Sequence, residues 1–139
     1  ISLDNIEPFT IVLHQPGLLH ELRWDGNDKH EKALDIANNY IWSSSTLYTD
    51  QVIEYRKNLF DRFIHSADGI TAATVHDFHA SNNGDAENGF VISRQTGMKT
   101  FSITQAVVQN NAVNFSHADL LQGKRYSETM LINHTAIKI

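Results

Sequence analysis

The sequence predicts an α+β fold with mainly antiparallel sheets and two helices. Three observations point there. Short apolar runs rich in β-branched residues are separated by compact turn signals. One strongly helical block sits mid-chain. The resulting order is strands, two helices, then strands.

Pro8 separates an acidic lead-in from Phe9-Thr10-Ile11-Val12-Leu13, which reads as a strand. Gln15-Pro16-Gly17 is a turn signal, because Pro fixes φ and Gly supplies positive φ. Leu18, His20, Leu22 and Trp24 then alternate to one side, as a hairpin partner would, and Asp25-Gly26-Asn27-Asp28 closes it. Residues 29–39 are mixed and polar, a loop or a decorated strand. Tyr40-Ile41-Trp42 reads as a short aromatic strand. It leads into Ser43-Ser44-Ser45-Thr46, four hydroxyl residues flanked by Trp42 and Tyr48. One Ser or Thr is enough to cap a helix, so the extra hydroxyls imply either a hydrogen-bond network or a ligand site.

Thr49-Asp50 opens the clearest helix, with Thr49 as cap and Asp50 and Glu54 near the positive end of its dipole. Val52, Ile53, Leu59, Phe60, Phe63 and Ile64 recur at helical spacing, whereas Arg56, Lys57, Asp61 and Arg62 fall largely away from that face. Asp68-Gly69 breaks the pattern. A second helix runs from Thr71 to about His79 with Ala72, Val75 and Phe78 inward, and residues 81–85 are a loop by composition. Residues 90–94 and 100–108 read as strands around a Gln95-Thr96-Gly97 turn. Asn110-Asn111 signals another hairpin, followed by a strand over residues 113–117. The tail from Lys124 alternates weakly, adding an edge strand or fraying.

Bulk properties narrow the function classes. At 139 residues the chain has the size of one domain, read here as residues 1–139. A net charge of −5, with scattered Lys and Arg, argues against nucleic acid, since phosphate binding needs clustered cations. With no cysteine, disulfides, thiolate metal sites and cysteine nucleophiles are excluded within these residues. No apolar run approaches the ~20 residues of a membrane span. The start has neither the basic region nor the apolar stretch of a signal peptide, so the location expected is cytoplasmic and the sequons at Asn114 and Asn133 read as chance.

The hydroxyl run lacks the Gly-x-Ser-x-Gly pattern of a nucleophile elbow. Structural hydrogen bonding, ligand contact and a triad completed from elsewhere remain as readings. In the ligand-contact reading Trp42 and Tyr48 are apolar walls, and Ser43, Ser44, Ser45 and Thr46 are polar anchors. His76 and His79 share a helical face, with Asp77 and Asp85 nearby, but the His-Glu-x-x-His spacing is absent and no metal is expected there. Phosphate loops are absent, and no cofactor is expected.

Several segments in order resemble a known family. They are Ile6-Glu7-Pro8-Phe9-Thr10, Leu22-Arg23-Trp24-Asp25-Gly26 with Lys29-His30, residues 41–49, and Arg56-Lys57 with Phe60. Phe78-His79, Gly84-Asp85 and Lys99-Thr100-Phe101-Ser102-Ile103-Thr104-Gln105 continue the series. Together they resemble the C-terminal half of the NRDE family, which includes the transport and Golgi organization protein 2 group, and its bacterial members most closely. The resemblance implies part of an αββα sandwich similar to N-terminal-nucleophile hydrolases. In that chemistry a terminal Cys, Ser or Thr attacks an amide carbonyl and its own α-amino group, of pKa near 8, is the base.

Ile1 has no nucleophilic side chain, and the family's near-terminal Cys and Asn-Arg-Asp-Glu motif are missing. No catalytic residue is therefore carried over, and the chain is expected to be the C-terminal part of a larger domain. Ser43, Ser44, Ser45, Thr46 and Tyr48, with Arg56, are the expected ligand-lining residues. The expected partners are the missing N-terminal half or a second copy, covering an exposed edge or apolar face, together with a small-molecule ligand. Membership suggests as an alternative a non-enzymatic carrier of haem or lipid-like ligands, with His76 or His79 as an iron ligand.

Overall fold

The computed structural model describes residues 2–44, 46–66 and 69–132. Within them the chain is α+β, with two helices and two three-stranded antiparallel sheets. It divides into two compact units, Ile1–Ser66 and Ala67–Ile139.

The first unit starts with β1 (Phe9–Gln15), β2 (Leu18–Trp24) and β3 (Lys29–Leu34), in that order across the sheet. Pro16 and Gly17 form a two-residue connection in which Gly17 takes φ +79°, a conformation glycine adopts without steric cost. That connection sets Gln15 opposite Leu18, and hence Ile11 opposite Leu22 and Phe9 opposite Trp24. The polar 29–39 stretch resolves as a strand only to Leu34. Leu34 is buried, as is Trp24, whose indole Nε1 donates to the Ile6 carbonyl at 2.8 Å. One face of the sheet stays open: Ile11, Leu13 and Leu18 on it are exposed.

Residues 40–42 are not a strand, contrary to expectation. Side chains rather than a ladder pin them. Tyr40 Oη accepts from the Asp35 backbone N–H at 3.0 Å, Tyr40 and Trp42 stack at 5.7 Å, and Trp42 Nε1 donates to Glu21 at 2.8 Å. Helix α1 (Asp50–His65) follows, capped by Thr49 as its sequence indicates.

The second unit opens with α2 (Ala72–Ala80). Thr71 and Thr74 form a reciprocal capping box there, at 3.1 and 2.9 Å. Val75 and Phe78 are half-buried, whereas Ala72, expected inward, is exposed in the first turn. Residues 90–94 form no strand, which is a second correction. Two of their N–H groups are taken by the preceding loop, Val91 by the Ser81 carbonyl and Ser93 by that of Ala86, while Ile92 donates to the Thr100 hydroxyl and Arg94 to the Met98 carbonyl, leaving one bridge between Ser93 and Lys99. Phe90 and Ile92 are buried there. Gly89 is required by close approach: a Cβ would stand 2.1 Å from the Asn82 carbonyl oxygen.

The second sheet is β4 (Ser102–Gln109), β5 (Ala112–Asp119) and β6 (Lys124–Leu131). β4 begins two residues later than the 100–108 run suggests, because Thr100 bonds Ile92 through both its N–H and its hydroxyl. The Asn110-Asn111 hairpin forms, with Asn110 at φ +53°. The weak tail pattern becomes a full third strand, paired with β5 from Lys124 to Leu131. On one face Gln105 Nε2 donates to the Ala72 carbonyl at 2.8 Å, tying β4 to α2. No helix among the described residues is long and apolar enough to cross a membrane.

Candidate functional site

Arg56 is the organising residue of the first unit's candidate site. Its neighbours in the repeat explain why. Position 56 is four residues after Val52 and three before Leu59, so the 3.6-residue period returns it to the apolar stripe. Only 7% of its surface is exposed, so it does not fall away from that face. A charge so placed must be hydrogen-bonded. Arg56 Nε donates to Ser43 Oγ at 3.1 Å, and the guanidinium carbon lies 4.4 Å from the centre of the Tyr48 ring. This links helix α1 to the first hydroxyl of the run and to the tyrosine ring that follows it.

Of the expected lining residues, three come together: Ser43, Tyr48 and Arg56. Ser44 and Thr46 are exposed and take no part in that contact, and Ser45 lies outside the described residues. A cavity of about 240 Å³ opens beside the run, lined by Pro8, Phe9, Thr10, Trp42, Ser43 and Ser44. Its walls are the two aromatic rings and its polar groups are three hydroxyls. It can hold a small group by hydrogen bonding, and Arg56 sets the position of one of those hydroxyls from behind. Thr10 and Phe9 were invisible to a local reading, because pairing with β2 is what brings the start of β1 here.

A larger cavity of about 440 Å³ lies on the open face of β1–β3, floored by Phe9, Ile11, Leu22 and Trp24 with Leu3 beside them. Two of its polar lining residues, Glu31 and His30, pair with neighbours outside it. His20 Nδ1 meets Glu31 at 3.0 Å, and His30 Nε2 meets Asp25 at 2.6 Å. Asp25 also accepts from the N–H groups of Asn27 and Asp28. The Asp28 N–H, the His30 side chain and the Asn27 N–H hold its carboxyl far below the usual carboxylate range.

The second unit's histidine pair is dispersed in role. His79 packs edge-on against Phe90, with ring centres 5.4 Å apart, and against Phe78. His76 Nδ1 faces Asp77 at 3.3 Å, and its buried Nε2 has no hydrogen-bond partner. Asp85 turns to its own loop: the Asn88 side chain and the N–H groups of Glu87 and Asn88 lower its pKa. Among the described residues no three His, Cys, Asp or Glu side chains converge as a metal site would require.

Another cluster escaped the local reading. On β4–β6, Thr104 stands opposite His117, which stands opposite Tyr126. The signal was present: a two-residue turn at 110–111 makes the numbers of paired residues sum to 221, so Thr104 and His117 must meet. No protein-family model, curated protein or solved structure matches the chain.

Proposed function

We propose that these residues are the C-terminal, pocket-lining portion of an NRDE-type protein of the cytoplasm. In this reading the whole protein is an αββα sandwich that hydrolyses an amide bond with an N-terminal nucleophile. The nucleophile is a cysteine, so it lies outside these 139 residues, which contain none. The observation that carries the reading is the Arg56 clamp. A buried guanidinium holding Ser43, with Tyr48 against it, is far more than a helix start needs, and it presents hydroxyls to a cavity. The open apolar face bearing Ile11, Leu13 and Leu18 supports a layered architecture, since such a face is stabilised by a second layer.

The division of labour follows from the chemistry. The nucleophile's own α-amino group takes the proton, so this portion supplies no base. Its task is orientation: Ser43 and Ser44 donate to or accept from the amide substrate, while Phe9 and Trp42 exclude water around it. Reading the gene upstream of the Ile1 codon tests the assignment. An in-frame Cys followed by Asn-Arg-Asp-Glu is expected, and a frame without them refutes it. In the full-length protein, replacing that Cys by Ala should abolish amide turnover; equal turnover sinks the enzymatic reading.

One observation favours a carrier of lipid-like ligands as the second reading: the apolar cavity over Phe9, Ile11, Leu22 and Trp24. Quenching of Trp24 fluorescence by an apolar probe, lost in Leu22→Glu, would support it. The iron-ligand role for His76 or His79 gains nothing from their packing. A Soret band on haem titration that disappears in His76→Ala/His79→Ala would restore it.

A further inference from the structure

The open face of β4–β6 has a different character from that of β1–β3. Three cross-strand rows occupy its middle. Thr104, His117 and Tyr126 form one row; Ala106, Phe115 and Glu128 form the next; Ser102, Asp119 and Lys124 flank them on the other side. Thr104 Oγ1 and His117 Nδ1 are hydrogen-bonded at 2.8 Å, which fixes the imidazole against β4. The His117 and Tyr126 rings are 6.3 Å apart and inclined at 39°. Tyr126 is 57% exposed and Phe115 is 39% exposed, so both rings offer surface to solvent. A cavity of about 370 Å³ lies here, with Thr104, Phe115, His117, Tyr126 and Glu128 in its lining.

We propose that this face binds an uncharged polyhydroxylated ligand, a neutral sugar of about disaccharide size, stacked on Tyr126. The cavity's charge decides the class. Among the described residues its lining holds one carboxylate, Glu128, and neither Lys nor Arg. The nearest cation on this face among the described residues, Lys124, stands opposite Asp119, so with Glu128 the face is net negative and repels an anionic ligand. Single-stranded nucleic acid also stacks on sheet aromatics but needs a cationic groove for its backbone, and the chain carries −5 overall. A purely apolar ligand would strip water from the Glu128 carboxylate, which costs free energy with nothing to replace it. A sugar satisfies both halves. Its C–H face packs on an exposed ring, and its hydroxyls donate to Glu128 while exchanging hydrogen bonds with Thr104 and His117. The inference is independent of the amide-hydrolase reading, which rests on the other unit.

The test is titration of the 139-residue chain with cellobiose and with maltose, followed by NMR of the tyrosine and histidine ring signals. A shallow exposed site predicts a Kd on the order of millimolar for at least one sugar, with shifts confined to Tyr126, Phe115 and His117. Tyr126→Ala should weaken binding about fivefold or more, since ring stacking is worth at least about 1 kcal/mol. Tyr126→Phe, which keeps the ring, should stay within about threefold. Tyr126 is exposed, so neither change threatens the fold. Absence of shifts with both sugars overturns the proposal. So does equal binding by Tyr126→Ala, or binding of a single-stranded oligonucleotide at the same rings in place of sugar. None of these outcomes bears on the upstream cysteine, so the two readings fail separately.

Discussion

Replacing Arg56 by Met is the perturbation that most directly tests how the hydroxyl run is held. Met keeps most of the aliphatic stem that packs on the helix face and deletes the guanidinium. Two interactions go with it: the 3.1 Å hydrogen bond to Ser43 and the contact 4.4 Å over Tyr48. A hydrogen bond from a charged donor contributes about 1.5–3 kcal/mol. A desolvated cation–π contact contributes about 2 kcal/mol. The two share one desolvation cost, so the expected loss is about 3–4 kcal/mol, in the range for breaking a buried charge interaction. At a urea slope of about 1.5–2 kcal/mol/M this moves the unfolding midpoint by roughly 2 M. Trp42 and Trp24 fluorescence both report the transition. Ser43→Ala, measured alone and with Arg56→Met, closes a double-mutant cycle that isolates the pair from other contacts of Arg56. The coupling should be about 1.5 kcal/mol. A coupling under about 0.5 kcal/mol refutes the clamp, as does an Arg56→Met cost no larger than that of Lys57→Met, whose side chain is exposed.

Other expectations follow from single contacts. Ser44 is exposed, so Ser44→Ala should change stability by no more than about 0.5 kcal/mol in the same urea assay, in contrast to Ser43→Ala. Thr71→Ala removes the α2 cap and should cost about 1 kcal/mol, with Thr71→Asp close to wild type. Gly89→Ala places a methyl 2.1 Å from the Asn82 carbonyl and should cost roughly 3 kcal/mol or more, read as lost amide protection over residues 81–100. Asp25 has a folded-state pKa below its unfolded one, so its stabilisation is present above the ordinary carboxylate range and lost as pH falls. The stability difference between wild type and Asp25→Asn should therefore be constant above about pH 5 and shrink below about pH 4; a difference that grows on acidification contradicts the assignment.

The strands that were legible early are those whose turns carry chemistry. Pro16-Gly17 and Asn110-Asn111 each close a two-residue hairpin, so the pairing of β1 with β2 and of β4 with β5 follows from local residues alone. Residues 40–42 and 90–94 have strand propensity too, yet no ladder forms. Tyr40, Trp42 and the carbonyls of Ser81 and Ala86 satisfy those segments instead, through partners a propensity scale does not see. Arg56 is the instructive failure in the site. Its charge suggested solvent, while the spacing of its apolar neighbours already placed it on the buried stripe, and the period overrode the residue type.

By itself, the sequence determined the fold class, both helices with the Thr49 cap of the first, the tight hairpins and the absence of any cysteine chemistry within these residues. Those properties depend on φ preferences, capping and periodicity, all of which act within a few positions along the chain. Only the tertiary structure decided that a serine of the hydroxyl run is clamped by a buried arginine 13 residues on. It also decided that Thr104, His117 and Tyr126 form one row, and that one sheet leaves an apolar face open. These depend on which strands pair and which side chains lose their water, and such energies belong to contacts between distant positions rather than to any residue alone.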